Sequence, residues 1–194
     1  MDLPPELARL EEQMDAIDQD AQALAAGLSA EHACWRARPD SWNVAECLDH
    51  LATTNLIYID AMRPAAQRAA EQGLVRHGPA LPGIVGGLFV KSLEPPVSPR
   101  LRFRAPQNIR PRSSPPIEET LTAFLASQQK VRAFLRANAG LDLARVPFRN
   151  PFLPGVRFSL ATALHAIAAH DRRHLWQAWR IRRLAEAALG ATGP

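Results

Sequence analysis

The chain has 194 residues, 47% apolar and 22% charged, which fits one domain over residues 1–194 with a real core and excludes disorder and fibrous repeats. No stretch approaches the roughly 18 uninterrupted apolar residues of a membrane span, the start Met1-Asp-Leu-Pro-Pro-Glu6 lacks the parts of a signal peptide, and Cys34 and Cys47 are too few for a disulfide framework, so a soluble cytoplasmic protein without a membrane partner is expected. The net charge of +4 divides into eight acids against Arg9 over residues 1–31 and 22 basic residues against 11 acids beyond, and because basicity alone discriminates weakly, a nucleic-acid partner is disfavoured.

Leu3, Leu7, Leu10, Met14, Ile17, Ala21, Leu24 and Leu28 step alternately by four and three, an apolar seam that predicts a helix over 3–28. Glu11, Glu12, Asp15, Asp18 and Asp20 fall on its solvated sides. A second helix starts near Asn43, which with Glu46 has the spacing of a capping box. Its stripe of Val44, Cys47, Leu48, Leu51, Asn55, Tyr58, Ile59 and Met62 runs to Pro64, where the helix kinks or ends, with the alternative of continuing to Glu71.

Nine of the 17 prolines fall between Pro79 and Pro116. Residues 73–116 therefore read as a long connection, with a short helix at Ile84–Leu93 and a short extended piece at Leu101–Arg104. A third helix is predicted over 117–138, with Glu118 and Glu119 at its positive N-terminus. A second irregular stretch, 141–157, precedes a last helix over 159–188 with Ser159 as cap and Gly190 as stop. No segment shows convincing strand alternation. The expected class is all-α, a four-helix bundle with a long connection between helices 2 and 3.

On the last helix, His174 falls near the middle of the buried face and His170 on its flank one turn earlier. An i, i+4 pair of imidazoles can give two adjacent ligands to one metal ion, or can be two hydrogen-bonded core histidines. Asp171 stands where an H-E-x-x-H protease has glutamate, and its shorter, differently placed side chain argues against thermolysin-like chemistry. A third ligand is needed, and His50, on the shoulder of the second helix's stripe, is the candidate on a different helix. His165 is turned roughly 140° away from His170, and His32 and His77 fall in loop or helix-end positions where solvated histidines are the norm.

Trp42-Asn-Val-Ala-Glu46-Cys-Leu-Asp-His50-Leu, followed by His165-Ala-Ile-Ala-Ala-His170-Asp-Arg-Arg-His174-Leu-Trp-Gln177, resembles the DinB-like superfamily. Phe103-Arg-Ala-Pro-Gln-Asn-Ile-Arg-Pro and the lead-in from Asn150 to Ser159 resemble the connections of one branch of it, so the likeness spans nearly the whole chain. The resemblance implies a four-helix bundle holding one divalent metal on His50, His170 and His174. It also implies the company of metal-dependent enzymes, among them S-transferases that use low-molecular-weight thiols and a mycothiol-dependent isomerase. Homodimerisation follows from the same family habit and from the spare aromatics of the last helix.

Three neutral imidazoles leave a position open for water or a thiolate, as at a catalytic metal site. Imidazole suits zinc, nickel and iron alike. Asp171, Gln177 and Glu46 are within sequence reach to fix the second ring nitrogens; alternatively Glu46 only caps its helix, Gln177 fills a wet groove and Asp171 pairs with an arginine. Trp42 reads as a lid over the start of the second helix, Cys47 as packing, and Trp176 and Trp179 as contacts to the first helix or to a second subunit. Arg172, Arg173, Arg180, Arg182 and Arg183 read as a solvated face, with an anionic thiol as the alternative. The leading expectation is an enzyme, a transferase or hydrolase, that activates a thiol or water at the three histidines against a small-molecule substrate. The rival is a non-catalytic, metal-stabilised helical module that binds a protein or nucleic acid.

Overall fold

A computed structural model describes residues 3–96 and 109–190. The seam of leucines becomes helix α1, Pro5–Ala25, with Leu7, Leu10, Met14, Ile17, Ala21 and Leu24 buried. It stops short of Leu28 because Gly27, at φ +65°, takes the chain into a conformation that other residues rarely adopt. A five-residue helix that the periodicity does not signal, α2 at Ala30–Cys34, follows, with the Ser29 side chain accepting from the His32 N–H.

Helix α3 spans Val44–Glu71, and both halves of the Asn43–Glu46 capping box are formed. Pro64 does not end it. Ala65, Ala66 and Ala69 beyond the proline are buried, so tertiary packing offsets the lost backbone hydrogen bond. The connection that follows contains helix α4, Ile84–Leu93. Its Gly86 lies so close to Thr162 that a Cβ there would sit 2.3 Å from Oγ1. Phe89 stacks on Phe158 with ring centroids 4.6 Å apart. The extended piece expected at Leu101–Arg104 lies outside the described residues.

Helix α5, Ile117–Ala137, carries Phe124, Val131 and Leu135 into the core. The expectation of no strands is corrected next: β1, Pro147–Arg149, pairs antiparallel with β2, Arg157–Ser159, in the register Phe148↔Phe158. Three residues per strand are too few for an alternation signal. Helix α6, Leu160–Leu189, starts on the Ser159 cap, whose Oγ accepts from the Thr162 N–H at 3.1 Å, and ends at Gly190.

The chain is mostly helical, and its long helices contact one another in the pairs α3–α5, α3–α6, α1–α6 and α1–α5. The acidic side of α1 is not simply solvated. Asp15 and Asp18 each lie 2.9 Å from Arg132 of α5, and Glu11 lies 2.6 Å from Arg136. Trp179 of α6 donates its indole N–H to Asp20 at 2.8 Å, which places that ring on α1. No helix is long and apolar enough to cross a membrane among the described residues.

Candidate metal centre

His50 sits in the second turn of α3, and His170 and His174 are successive-turn neighbours on α6. Because α3 packs against α6, the three rings converge: centroids lie 4.8 Å apart for His50–His174, 5.2 Å for His50–His170 and 4.6 Å for His170–His174. One ligand nitrogen from each can be chosen so that all three lie within 4.8 Å of one another. The group could hold a metal ion. His165, as its helical angle requires, is not among the three.

Each ring is held differently. His50 is buried, and its Nδ1–H donates to the Ile109 carbonyl at 2.8 Å. A carbonyl only accepts, so this bond fixes the tautomer and leaves Nε2 with its lone pair. Three residues on, Arg112 is tied to the same turn of α3, where the Asp49 carboxylate accepts from its backbone N–H at 2.9 Å and from its Nε at 2.8 Å. His174 Nδ1 is buried and makes no hydrogen bond among the described residues. A buried imidazole nitrogen left so is costly unless something binds it. Trp42 closes one side, its ring 4.6 Å from that of His50 and 5.6 Å from that of His174.

The electrostatics favour neutral rings. Burial holds His50 below the ordinary imidazole range, against the opposing pull of the Ile109 carbonyl and Asp49. Burial, with His50 and Arg173 nearby, pushes His170 down to about 3. His174 lies well below the usual value because of burial and its two imidazole neighbours, with Gln177 acting weakly the other way. At neutral pH all three nitrogens therefore offer lone pairs, the state that a metal ion requires. Three nitrogens and no thiolate or carboxylate are a donor set that zinc, nickel and iron each accept.

Residues 13–178 match the profile of the DinB superfamily. The chain belongs to the DinB superfamily. No curated protein and no solved structure matches it. In this DinB-superfamily protein the matched span contains Trp42 and all three histidines of the cluster, so the family assignment and the geometry refer to the same residues.

The residues expected to support the rings behave unevenly. Glu46 faces away: Arg36 donates to its two oxygens at 2.7 and 2.5 Å, and the Asn43 N–H adds a bond at 3.1 Å. Asp171 is fully buried but turned toward α3, where Asn55 Nδ2 donates to it at 3.4 Å; burial holds its carboxyl well above the usual range. Gln177 alone lies beside a ring of the cluster, that of His174. Cys47 is buried packing, with its thiol pushed up by burial.

His32 corrects another expectation. It is 7% exposed, and its ring bonds the Ser29 hydroxyl and the Gly190 carbonyl, each at 2.8 Å, tying α2 to the end of α6. His77 is exposed, as expected. The stretch around β1 and β2 meets α3 further along, where Asn150 Nδ2 donates to the Tyr58 hydroxyl at 3.3 Å. The Ile109 carbonyl is the contact that sequence reasoning missed, and a backbone oxygen carries no residue-type signal.

Proposed function

We propose that His50, His170 and His174 bind one divalent metal ion, zinc, nickel or iron, and that the protein is a metal-dependent enzyme acting on a small electrophile with a low-molecular-weight thiol or water. We read the chain as one domain in which α1, α3, α5 and α6 form a four-helix bundle. The observation that carries the proposal is the convergence of three imidazoles whose ligand nitrogens lie within 4.8 Å of one another, with His174 Nδ1 buried and making no hydrogen bond among the described residues. A divalent ion, when bound, supplies Lewis acidity that favours the deprotonated form of a thiol or water near neutral pH.

The chain's own residues have separate tasks in this reading. The Ile109 carbonyl orients the His50 ring and keeps Nε2 unprotonated. Trp42 shields the His50 and His174 rings from bulk water on one side, which strengthens electrostatic interactions there. With three protein ligands a further position stays open for a reacting group, whereas a purely structural site is closed by a fourth.

The test is an assay of metal-replete protein against a panel of thiols and electrophiles, with His50→Ala as control and circular dichroism to show that the variant folds. Turnover in the parent that falls by about a hundredfold or more in His50→Ala is expected. Turnover unaffected by the substitution, or none with any pair, would favour the non-catalytic module.

A further inference from the structure

A second site lies at the other end of α3. A groove of about 430 Å³ between the C-terminal half of α3 and the β1–β2 hairpin is lined by Arg68, Arg149, Arg157, Gln72, Leu74 and Phe148, among others, and by no carboxylate. Arg68 is eighteen residues beyond His50, roughly 27 Å along a helix, so the groove is separate from the histidine cluster.

What sets these arginines apart is that three of them line one groove that holds no carboxylate. Elsewhere Arg36, Arg76, Arg132, Arg136 and Arg172 each face a carboxylate. Arg68, Arg149 and Arg157 have no ion pair or side-chain hydrogen bond among the described residues. Arg149 and Arg157 are moreover direct cross-strand partners. Like charges directly opposite one another destabilise a strand pair, and this hairpin is only three residues long on each side. An anion between the two guanidinium groups would turn that repulsion into attraction.

The rest of the lining narrows the class. Leu74 is 41% exposed beside the three cations, and the groove is of the size that holds a small molecule. Planar guanidinium forks match the oxygens of a phosphate group, and the apolar wall suits a carbon skeleton attached to it. We infer that this groove binds a small organic phosphate, with Arg149 and Arg157 clamping the phosphate, Arg68 adding charge from α3, and Leu74 receiving the apolar part. This assignment is independent of whatever the histidines bind.

The experiment is calorimetric titration of the full chain with 1-naphthyl phosphate, inorganic phosphate, 1-naphthol and a short DNA duplex. Saturable one-to-one binding of 1-naphthyl phosphate is expected, weaker by roughly tenfold or more in Arg149→Gln and in Arg68→Gln, and unchanged in Arg145→Gln, an exposed arginine outside the lining. Arg68→Gln lies on the helix and keeps the test valid should the hairpin variant fold poorly. Absence of saturable binding, an equal loss in Arg145→Gln, or equal affinity for inorganic phosphate or naphthol would each overturn the assignment. Tighter binding of the duplex, weakened by the same substitutions, would also overturn it and make the groove a nucleic-acid contact.

Discussion

Arg36→Met tests whether Glu46 holds the fold or supports the histidines. Glu46 is 4% exposed and accepts two bonds from Arg36 together with the Asn43 backbone N–H. Removing Arg36 leaves a buried carboxylate with only its capping bond. Breaking a buried ion pair from one side costs about 3–5 kcal/mol. The Arg36 side chain is 27% exposed, so water partly replaces it and a smaller loss than that, about 2–3 kcal/mol, is expected. For a chain of this length that corresponds to a fall of about 5–10 °C in Tm. Urea unfolding of the parent, Arg36→Met, Glu46→Gln and the double variant would give the pair's coupling, expected at about 1–3 kcal/mol. Metal content of the folded variants should match the parent's, because Glu46 does not face the rings. A loss below about 0.5 kcal/mol, or unchanged stability with lost metal, would refute the reasoning.

Gly86→Ala should cost about 1–3 kcal/mol by driving a methyl into Thr162, and Thr162→Ala in the same chain should restore part of it; an unchanged Tm in the single variant would disprove the contact. Phe124→Ala, at a fully buried position, should lose about 3–5 kcal/mol in chemical unfolding, and a loss under about 1 kcal/mol would contradict its core position. Glu6 carries a pH signature: burial pushes its carboxyl up, but the Ala80 N–H and Arg76 outweigh that and leave it lowered. A carboxyl lowered in the folded state stabilises above its unfolded pKa and loses that contribution as pH falls through the folded value. The parent should therefore exceed Glu6→Gln by about 1–2 kcal/mol above pH ~5, with the gap closing at more acidic pH; a gap independent of pH would exclude this role.

What was legible in the sequence is what local chemistry decides. The seam of α1, the Asn43–Glu46 capping box and the His170–His174 pair all rest on spacings of three or four residues, which helical geometry converts directly into shared faces. His50 was reachable because it flanks an apolar stripe. The rest depends on partners distant in the chain. His32 looks like a surface residue until the Gly190 carbonyl, 158 residues later, closes over it. Glu46 could have reached toward the rings, and Arg36 decides that it does not. Asp171 shares a helix turn with two site histidines, yet its direction is set by Asn55 of α3. The β1–β2 pair is too short to write a pattern at all.

The proposed metal site joins three histidines from two helices around one ion. It is tested most directly by elemental analysis of protein purified without an affinity tag, for the parent, His50→Ala and His174→Ala, with circular dichroism confirming that each is folded. The parent should carry close to one zinc, nickel or iron ion per chain and both variants close to none. Folded variants that keep the parent's metal content would contradict the site.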